Sequence, residues 1–234
     1  INLYIQGKSN KQNRHIIGRI LDGPEFLTVF DGATGKALKT VNYQPPRGNP
    51  SDWGDSYGNR CDRFLAAVAY LDGKHPSAIM CRGYYTRSCL AAYDWNGKDL
   101  KLRWLFDSQN TPSYSGQGNH NLRVADIDSD GCDEIVYGAM VVNNDGKGLY
   151  STAMGHGDAM HMFPFYPDST QLQVWSVFEN KRDGSTLRDA RSGRTIFQIK
   201  SRKDVGRGMA ADIDPTCYGA EMWSASQRGF FDVT

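Results

Sequence analysis

The chain has 234 residues, a formal net charge of +1, a mean hydropathy of −0.56, 25 glycines and 12 tyrosines. The near-balanced charge excludes an electrostatic nucleic-acid binder, and no apolar run approaches the roughly 18 residues needed to span a bilayer. Five cysteines without a C-x-x-C pair leave zinc ribbons and redox motifs unsupported, and their odd number argues against a complete disulfide framework, although one bridge stays compatible with it. No signal peptide is read in the opening "INLYIQGKSN", and the missing initiator Met leads us to expect a processed or truncated product.

Long helical periodicity is absent, and the predicted elements are short strands joined by tight turns. In chain order, "LTVFDGATGKAL" (27–38), "LAAYDWNGKDL" (90–100) and "TLRDARSGRTI" (186–196) share one form: alternating apolar residues, an Asp, a Gly-containing turn and a second strand. Asp31, Asp94 and Asp189 mark the same place in each hairpin. A second pattern interleaves with the first. "AAVAYLDGKHPSAIMCRG", "LRVADIDSDGCDEIVYG", "HMFPFYPDSTQLQVWSV" and "GMAADIDPTCYGAEMWS" each read as strand, loop, strand, aligned on Tyr70, Asp126, Pro164 and Asp212. The repeat of about 47 residues is the size of a four-stranded propeller blade. An all-β fold of the β-propeller class follows, with about five blades wholly or partly represented.

"DIDSDGCDE" (126–134) places carboxylates at alternate positions around a glycine. Asp126, Asp128, Asp130 and Glu134, with a backbone carbonyl at Cys132, suit a hard cation such as Ca2+, because four carboxylates this close repel without one. The flanks "LRVA" and "IVYG" are strands, so this is not an EF-hand. "DIDPTCYGAE" (212–221) is a weaker relative with Asp212, Asp214 and Glu221. Calcium in either loop would stiffen a hairpin and do no chemistry.

"SDWGDSYGNRCDRFLAAVAYLDG", "MCRGYYTR", "GQGNHNLRVADIDSDG", "YGAMVVNNDGKGLYSTAMGHGDAMH", "LRDARSG" and "DVGRGMAADID" together resemble polysaccharide lyase family 11, the rhamnogalacturonan lyases, from the first residues to the last. The resemblance implies an eight-bladed propeller with several calcium ions, a secreted or periplasmic setting, and a substrate in the rhamnogalacturonan I backbone of pectin, with no nucleic-acid or membrane partner. Members are more than twice this length. Residues 1–234 are therefore expected to be the central part of one catalytic propeller domain, whose missing segments would be partners, and the family's lysine base is expected beyond residue 234.

A lyase cleaving between rhamnose and galacturonate by β-elimination must neutralise the C6 carboxylate, remove the C5 proton and release the C4 oxygen. "GHGDAMH" (155–161) sets His156 and Asp158 two apart on extended backbone, pointing the same way. By resemblance, His120 in "GNHN" and Glu179 in "VFEN" join them around a metal on the substrate face, with His120 and His156 also expected to serve catalysis. Imidazole is an unusual calcium ligand, which hints at a site shaped for function. Arg207, between glycines in "DVGRGM", is expected to clamp the galacturonate carboxylate or stabilise the enolate-like intermediate. His161 reads as a hydrogen-bonding spacer. "FPFYPDST" has Pro164 and Tyr166 where the family has acidic residues, so that blade is expected to lack calcium. Phe178 stands where the family often has a His.

Two other classes are weighed against this. A calcium-dependent carbohydrate-binding or adhesion propeller would share the acidic loops but not His120, His156 and Arg207. A quinoprotein-like dehydrogenase would need tryptophan docking at regular positions, and Trp53, Trp95, Trp104, Trp175 and Trp223 show no such spacing.

Overall fold

The computed structural model describes residues 2–4, 14–15 and 19–225, which form 19 strands and three short 3-10 segments. The first sheet joins β1 (Asn2–Tyr4), β4 (Phe26–Phe30) and β5 (Ala37–Asn42), with the short hairpin β2 (Arg14–His15) and β3 (Arg19–Ile20) between β1 and β4 in the chain. Three four-stranded antiparallel meanders follow. They are β6 (Phe64–Ala69), β7 (Ser77–Arg82), β8 (Cys89–Trp95), β9 (Leu100–Asp107); β10 (Arg123–Ala125), β11 (Glu134–Tyr137), β12 (Met140–Val142), β13 (Gly148–Ser151); and β14 (Gly157–Phe163), β15 (Gln173–Phe178), β16 (Ser185–Asp189), β17 (Thr195–Ile199). The pair β18 (Gly208–Ala211) and β19 (Glu221–Ser224) forms the last sheet.

Successive strand residues point to opposite faces, so a strand buried on both sides reads as a continuous apolar run. β7 and β15 are buried at every position. The two faces of each sheet pack on different neighbours. Leu27 and Val29 of the first sheet, with Tyr43 just past β5, meet Ala78, Met80 and Ala91. The opposite face of that meander, with Ile79, Cys81 and Leu90, packs on Ile135, Tyr137 and Met140. Val136 and Val141 then pack on Met160, Val174 and Ala190. Trp175, Leu187 and Ile199 complete the series against Ala210 and Met222. The sheets thus stack face to face in chain order. Truncating a fully buried Ile or Leu in such a seam costs about 2–5 kcal/mol, so the seams hold the fold and leave the loops free to carry chemistry.

Tyr70, Asp126, Pro164 and Asp212 each directly follow the first strand of their sheet, as the repeat requires. The Asp turns also form. Asp31 accepts from the Thr34 amide at 2.8 Å and hydroxyl at 2.6 Å, and Asp189 accepts from the same two groups of Ser192 at 2.8 and 2.5 Å. The hairpin at 90–100 corrects the expectation for Asp94. β8 runs on through Trp95, so Asn96 accepts the turn amides of Lys98 and Asp99 at 3.0 and 2.8 Å, while Asp94 accepts from the Ser77 hydroxyl at 2.6 Å and from Arg103. No disulfide links the five cysteines.

The connections separate into two ends. The loops 126–133, 164–172 and 212–220 lie at one end, and the turns 83–88 and 179–184 lie at the other with the entries to β10, β14 and β18.

Candidate functional site

"GHGDAMH" straddles the entry to β14. Gly155 takes a left-handed φ of 80°, which bends the chain into the strand. A side chain at Gly157 would collide with the carbonyl of Val177, so only glycine lets this backbone lie against β15. The Glu179 amide donates to the His156 carbonyl at 3.2 Å, and a register shift between Gly157 and Ala159 turns Asp158 toward the same end.

The result is a four-residue cluster. One ligand atom from each of His120, His156, Asp158 and Glu179 lies within 4.8 Å of all the others. His120 Nε2 is 3.0 Å from Asp158 Oδ1; His156 Nε2 is 3.9 Å from the same oxygen and 3.6 Å from Glu179 Oε1. His156 is buried, and its Nδ1 lies 2.8 Å from the Gly118 carbonyl oxygen. A carbonyl only accepts, so Nδ1 carries the proton and Nε2 presents its lone pair to the two carboxylates. That Nε2 is buried and makes no hydrogen bond among the described residues.

Burial, and then the neighbouring His120, push His156 down to about 4, so the ring is neutral near pH 7. Burial lowers His120, while it raises Asp158 and Glu179, the latter also through the charge of Asp158. Two carboxyl groups and a lone pair thus converge, and the His156 ring contributes no proton between them. A divalent cation reconciles that arrangement, and the donor set of two imidazoles and two carboxylate oxygens fits one.

Tyr84 and Tyr85, in the turn after β7, close the back of the cluster. The Tyr84 ring stacks on His156 at 5.2 Å and 11°, and its hydroxyl is 3.1 Å from His120 Nδ1. The Tyr85 ring lies 4.3 Å from His156, with its hydroxyl 3.4 Å from His120 Nε2. Arg60 sits over the outer side of the cluster, 4.6 Å from the Tyr85 ring centre, and Arg63 is 5.8 Å from that centre. Arg207 is exposed, donates to the neighbouring Gly206 carbonyl, and bears electrostatically on both His120 and Asp158. The sequence reading found Arg207 and missed Arg60, Arg63, Tyr84 and Tyr85. "MCRGYYTR" contains the tyrosines, but nothing in its spacing says that they face two histidines from other sheets. His161 lies within β14 opposite Trp175 and takes no part in the cluster. Phe178 is fully buried.

At the opposite end, one oxygen from each of Asp126, Asp128 and Asp130 lies within 4.8 Å of the other two. Asp126 accepts from the amides of Ser129 and Gly131 at 2.7 and 3.0 Å, and the Cys132 amide donates to Asp130 at 2.7 Å. Glu134 is fully buried beside them; its Oε2 accepts from the Ile127 amide at 3.1 Å, and its Oε1 has no hydrogen bond. Burial, reinforced by the three aspartates, raises Glu134 to about 7. The loop 212–220 differs. Glu221 repeats the pattern, with Oε2 accepting from Ile213 at 2.9 Å and Oε1 without a hydrogen bond. Among the described residues, however, Asp212, Asp214 and Glu221 form no three-ligand cluster. Asp214 turns instead to the Thr216 amide and hydroxyl, at 2.9 and 2.6 Å, which hold its pKa low.

Comparison with known proteins places the chain in a family. Residues 3–234 match the family model described as rhamnogalacturonan lyase family 11, C-terminal domain. The chain belongs to rhamnogalacturonan lyase family 11. It is 55% identical over 231 residues to the rhamnogalacturonan exolyase YesX of Bacillus subtilis, covering 97% of this chain and 38% of that protein. It is 53% identical over 222 residues to the rhamnogalacturonan endolyase YesW of the same organism, covering 93% of this chain and 36% of that protein. The structure of the Bacillus licheniformis rhamnogalacturonan lyase PL11 superposes with a TM-score of 0.91 at 56% identity, over 95% of this chain and 38% of that one. This family 11 chain therefore spans less than two fifths of the length of the curated relatives it matches.

Proposed function

We propose that the protein cleaves the rhamnogalacturonan I backbone between rhamnose and galacturonate by β-elimination, and that its stacked sheets are consecutive blades of one β-propeller. Face-to-face packing of four-stranded meanders in chain order supports the propeller. Family membership and the relatives' activities support the reaction.

The observation that carries the site is the buried Nε2 lone pair of His156, facing two carboxylates with no hydrogen bond. His120, His156, Asp158 and Glu179 would hold a divalent cation, Ca2+ by family resemblance. When bound, the cation supplies positive charge that neutralises the uronate C6 carboxylate and so acidifies the C5 proton. The protein's own groups do the rest of the positioning. Gly118 fixes the His156 tautomer through its carbonyl. Tyr84 and Tyr85 cover the ring faces and keep water from the lone pair. Arg207 faces the opening, where it clamps the carboxylate or the enolate-like charge that grows during proton removal, and Arg60 and Arg63 add positive charge along the rim for an anionic polymer.

Incubating the protein with rhamnogalacturonan I and calcium, and following the ultraviolet absorbance of the unsaturated uronate product, tests this. Product that forms with calcium and stops with chelator supports the reading. Reducing ends released without unsaturation, as hydrolysis would give, or no cleavage by the intact protein, overturns it.

A further inference from the structure

We propose that Tyr84 is a positioning residue: its hydroxyl oxygen accepts the Nδ1 proton of His120 when Nε2 offers its lone pair to a cation, and its ring fixes the plane of His156. The proposal rests on reading the four-residue cluster as a cation site.

A neutral imidazole has one lone pair, on whichever nitrogen lacks the proton. For His156 the choice is made by the Gly118 carbonyl, which takes the Nδ1 proton at 2.8 Å. For His120 it is open. Nε2 faces Asp158 Oδ1 at 3.0 Å, and Nδ1 faces the Tyr84 hydroxyl at 3.1 Å. With the proton on Nε2, His120 donates to Asp158, and both groups are satisfied without a cation. To act as a ligand, His120 must carry the proton on Nδ1, which then needs an acceptor. Among the described residues the Tyr84 hydroxyl oxygen is the hydrogen-bond partner of that nitrogen. A histidine ligand is commonly held in this way by the partner of its other ring nitrogen.

Tyr84 is built for that task. It is almost wholly buried in the seam between the meanders 64–107 and 123–151. Gly118 packs on it so closely that a side chain there would collide with the Tyr84 Cβ, and the carbonyl of this same Gly118 fixes His156. The ring lies parallel to His156 at 11° and tilted against His120, with centroids 4.7 Å apart. One side chain from one sheet therefore touches a histidine from each of the next two. Tyr85 provides a contrast. Its hydroxyl sits 3.4 Å from Nε2 of His120, the nitrogen that a cation would occupy.

Tyr84→Phe keeps the ring and its packing while deleting the hydroxyl, and Tyr85→Phe is its control. Each full-length variant is titrated with Ca2+ by calorimetry. The cluster is recognised as the site class that His156→Ala removes, and ring tautomers are read from histidine 15N shifts. Tyr84→Phe should weaken that class about ten- to hundredfold. In the calcium-loaded protein it should also raise the share of His120 in the Nε2-protonated form, with an unchanged melting temperature in chelator. Tyr85→Phe should change affinity less than about threefold, since its partner nitrogen is the one a cation takes over. Wild-type affinity and tautomer in Tyr84→Phe overturn the proposal, as do equal losses in both variants. A wild-type titration identical to that of His156→Ala overturns the cation reading itself, and this proposal with it.

Discussion

Glu134 and Gln173 stand at the same place in neighbouring sheets and accept the same backbone hydrogen bond. Each is the first residue of its sheet's second strand. Glu134 takes the Ile127 amide at 3.1 Å, and Gln173 takes the Phe165 amide at 2.8 Å. Beside Glu134 lie three aspartates. Beside Gln173 the loop reads "FPFYPDST", with Phe165 buried and stacked on Phe163 at 4.1 Å, and the Gln173 amide nitrogen donates to the Gln171 carbonyl at 2.9 Å. A neutral amide serves beside "FPFYPDST", and a carboxylate serves beside the three aspartates.

This pairing sets a pH dependence. The Glu134 carboxyl is raised to about 7 from an ordinary value of 4.5. Between these values the unfolded chain has lost the proton and the folded chain keeps it, so stability falls as pH rises. In chelator, the melting temperature should drop across about pH 4.5–7. With calcium in excess, the charged form is the bound form and the drop should vanish. Thermal melts across pH, with and without calcium, check this.

Glu134→Gln should raise the melting temperature in chelator at neutral pH, because it removes a buried charge from among like charges. It should also remove most of the stabilisation that calcium provides. Asp128→Ala should weaken the calcium dependence without the gain in chelator. A parallel calcium response in wild type and both variants would show that the 126–134 loop takes no cation.

Gln173→Glu tests the converse. It places a buried charge beside a loop in which the described residues form no three-carboxylate cluster, and it deletes the donor to Gln171. The cost should be about 2–4 kcal/mol at neutral pH, shrinking as the pH falls toward 4, and calcium should not restore it. Chemical denaturation at two pH values reads this directly.

His156→Ala in the intact protein should lower turnover on rhamnogalacturonan roughly a hundred- to a thousandfold, the usual loss for one strong interaction with developing charge. The fold should persist, because the residue sits in a strand-entry loop outside the sheet seams. His161→Ala should be milder, since His161 lies in β14 away from the cluster. Turnover measured together with circular dichroism separates the two effects.

Arg60→Gln should raise KM on the anionic polymer about tenfold with a smaller change in kcat. Arg60 is held by the Tyr85 ring at 4.6 Å, and its nearest acid, Asp55, is 4.0 Å away, so much of its charge remains available to substrate. The difference from wild type should narrow as salt is raised. Equal KM at low salt would return Arg60 to a packing role.

Local chemistry determined a good deal by itself. The acidic loops, the Asp turns and the strand–loop–strand repeat are written in neighbouring residues, because two-residue periodicity and turn preferences act over a few positions. Tyr70, Asp126, Pro164 and Asp212 each follow a first strand for that reason. The nearness of His156 to Asp158 was legible from their spacing, although a register shift between Gly157 and Ala159, and not plain strand alternation, brings them to one end. The limits were also local. Asp94 was misplaced because β8 runs one residue past it, and the Thr216 hydroxyl that donates to Asp214 is not signalled by the spacing of "DIDPTCYGAE".

Only the tertiary structure decided what meets what. His120, His156 and Glu179 lie tens of residues apart and converge because sheets stacked face to face bring successive strand entries and turns to one end. Tyr84 and Arg60 reach the cluster from a third sheet, with no periodic trace in the chain. The unsatisfied nitrogen of His156 and the unsatisfied oxygen of Glu134 are consequences of burial, and burial belongs to the packed molecule rather than to any stretch of its sequence.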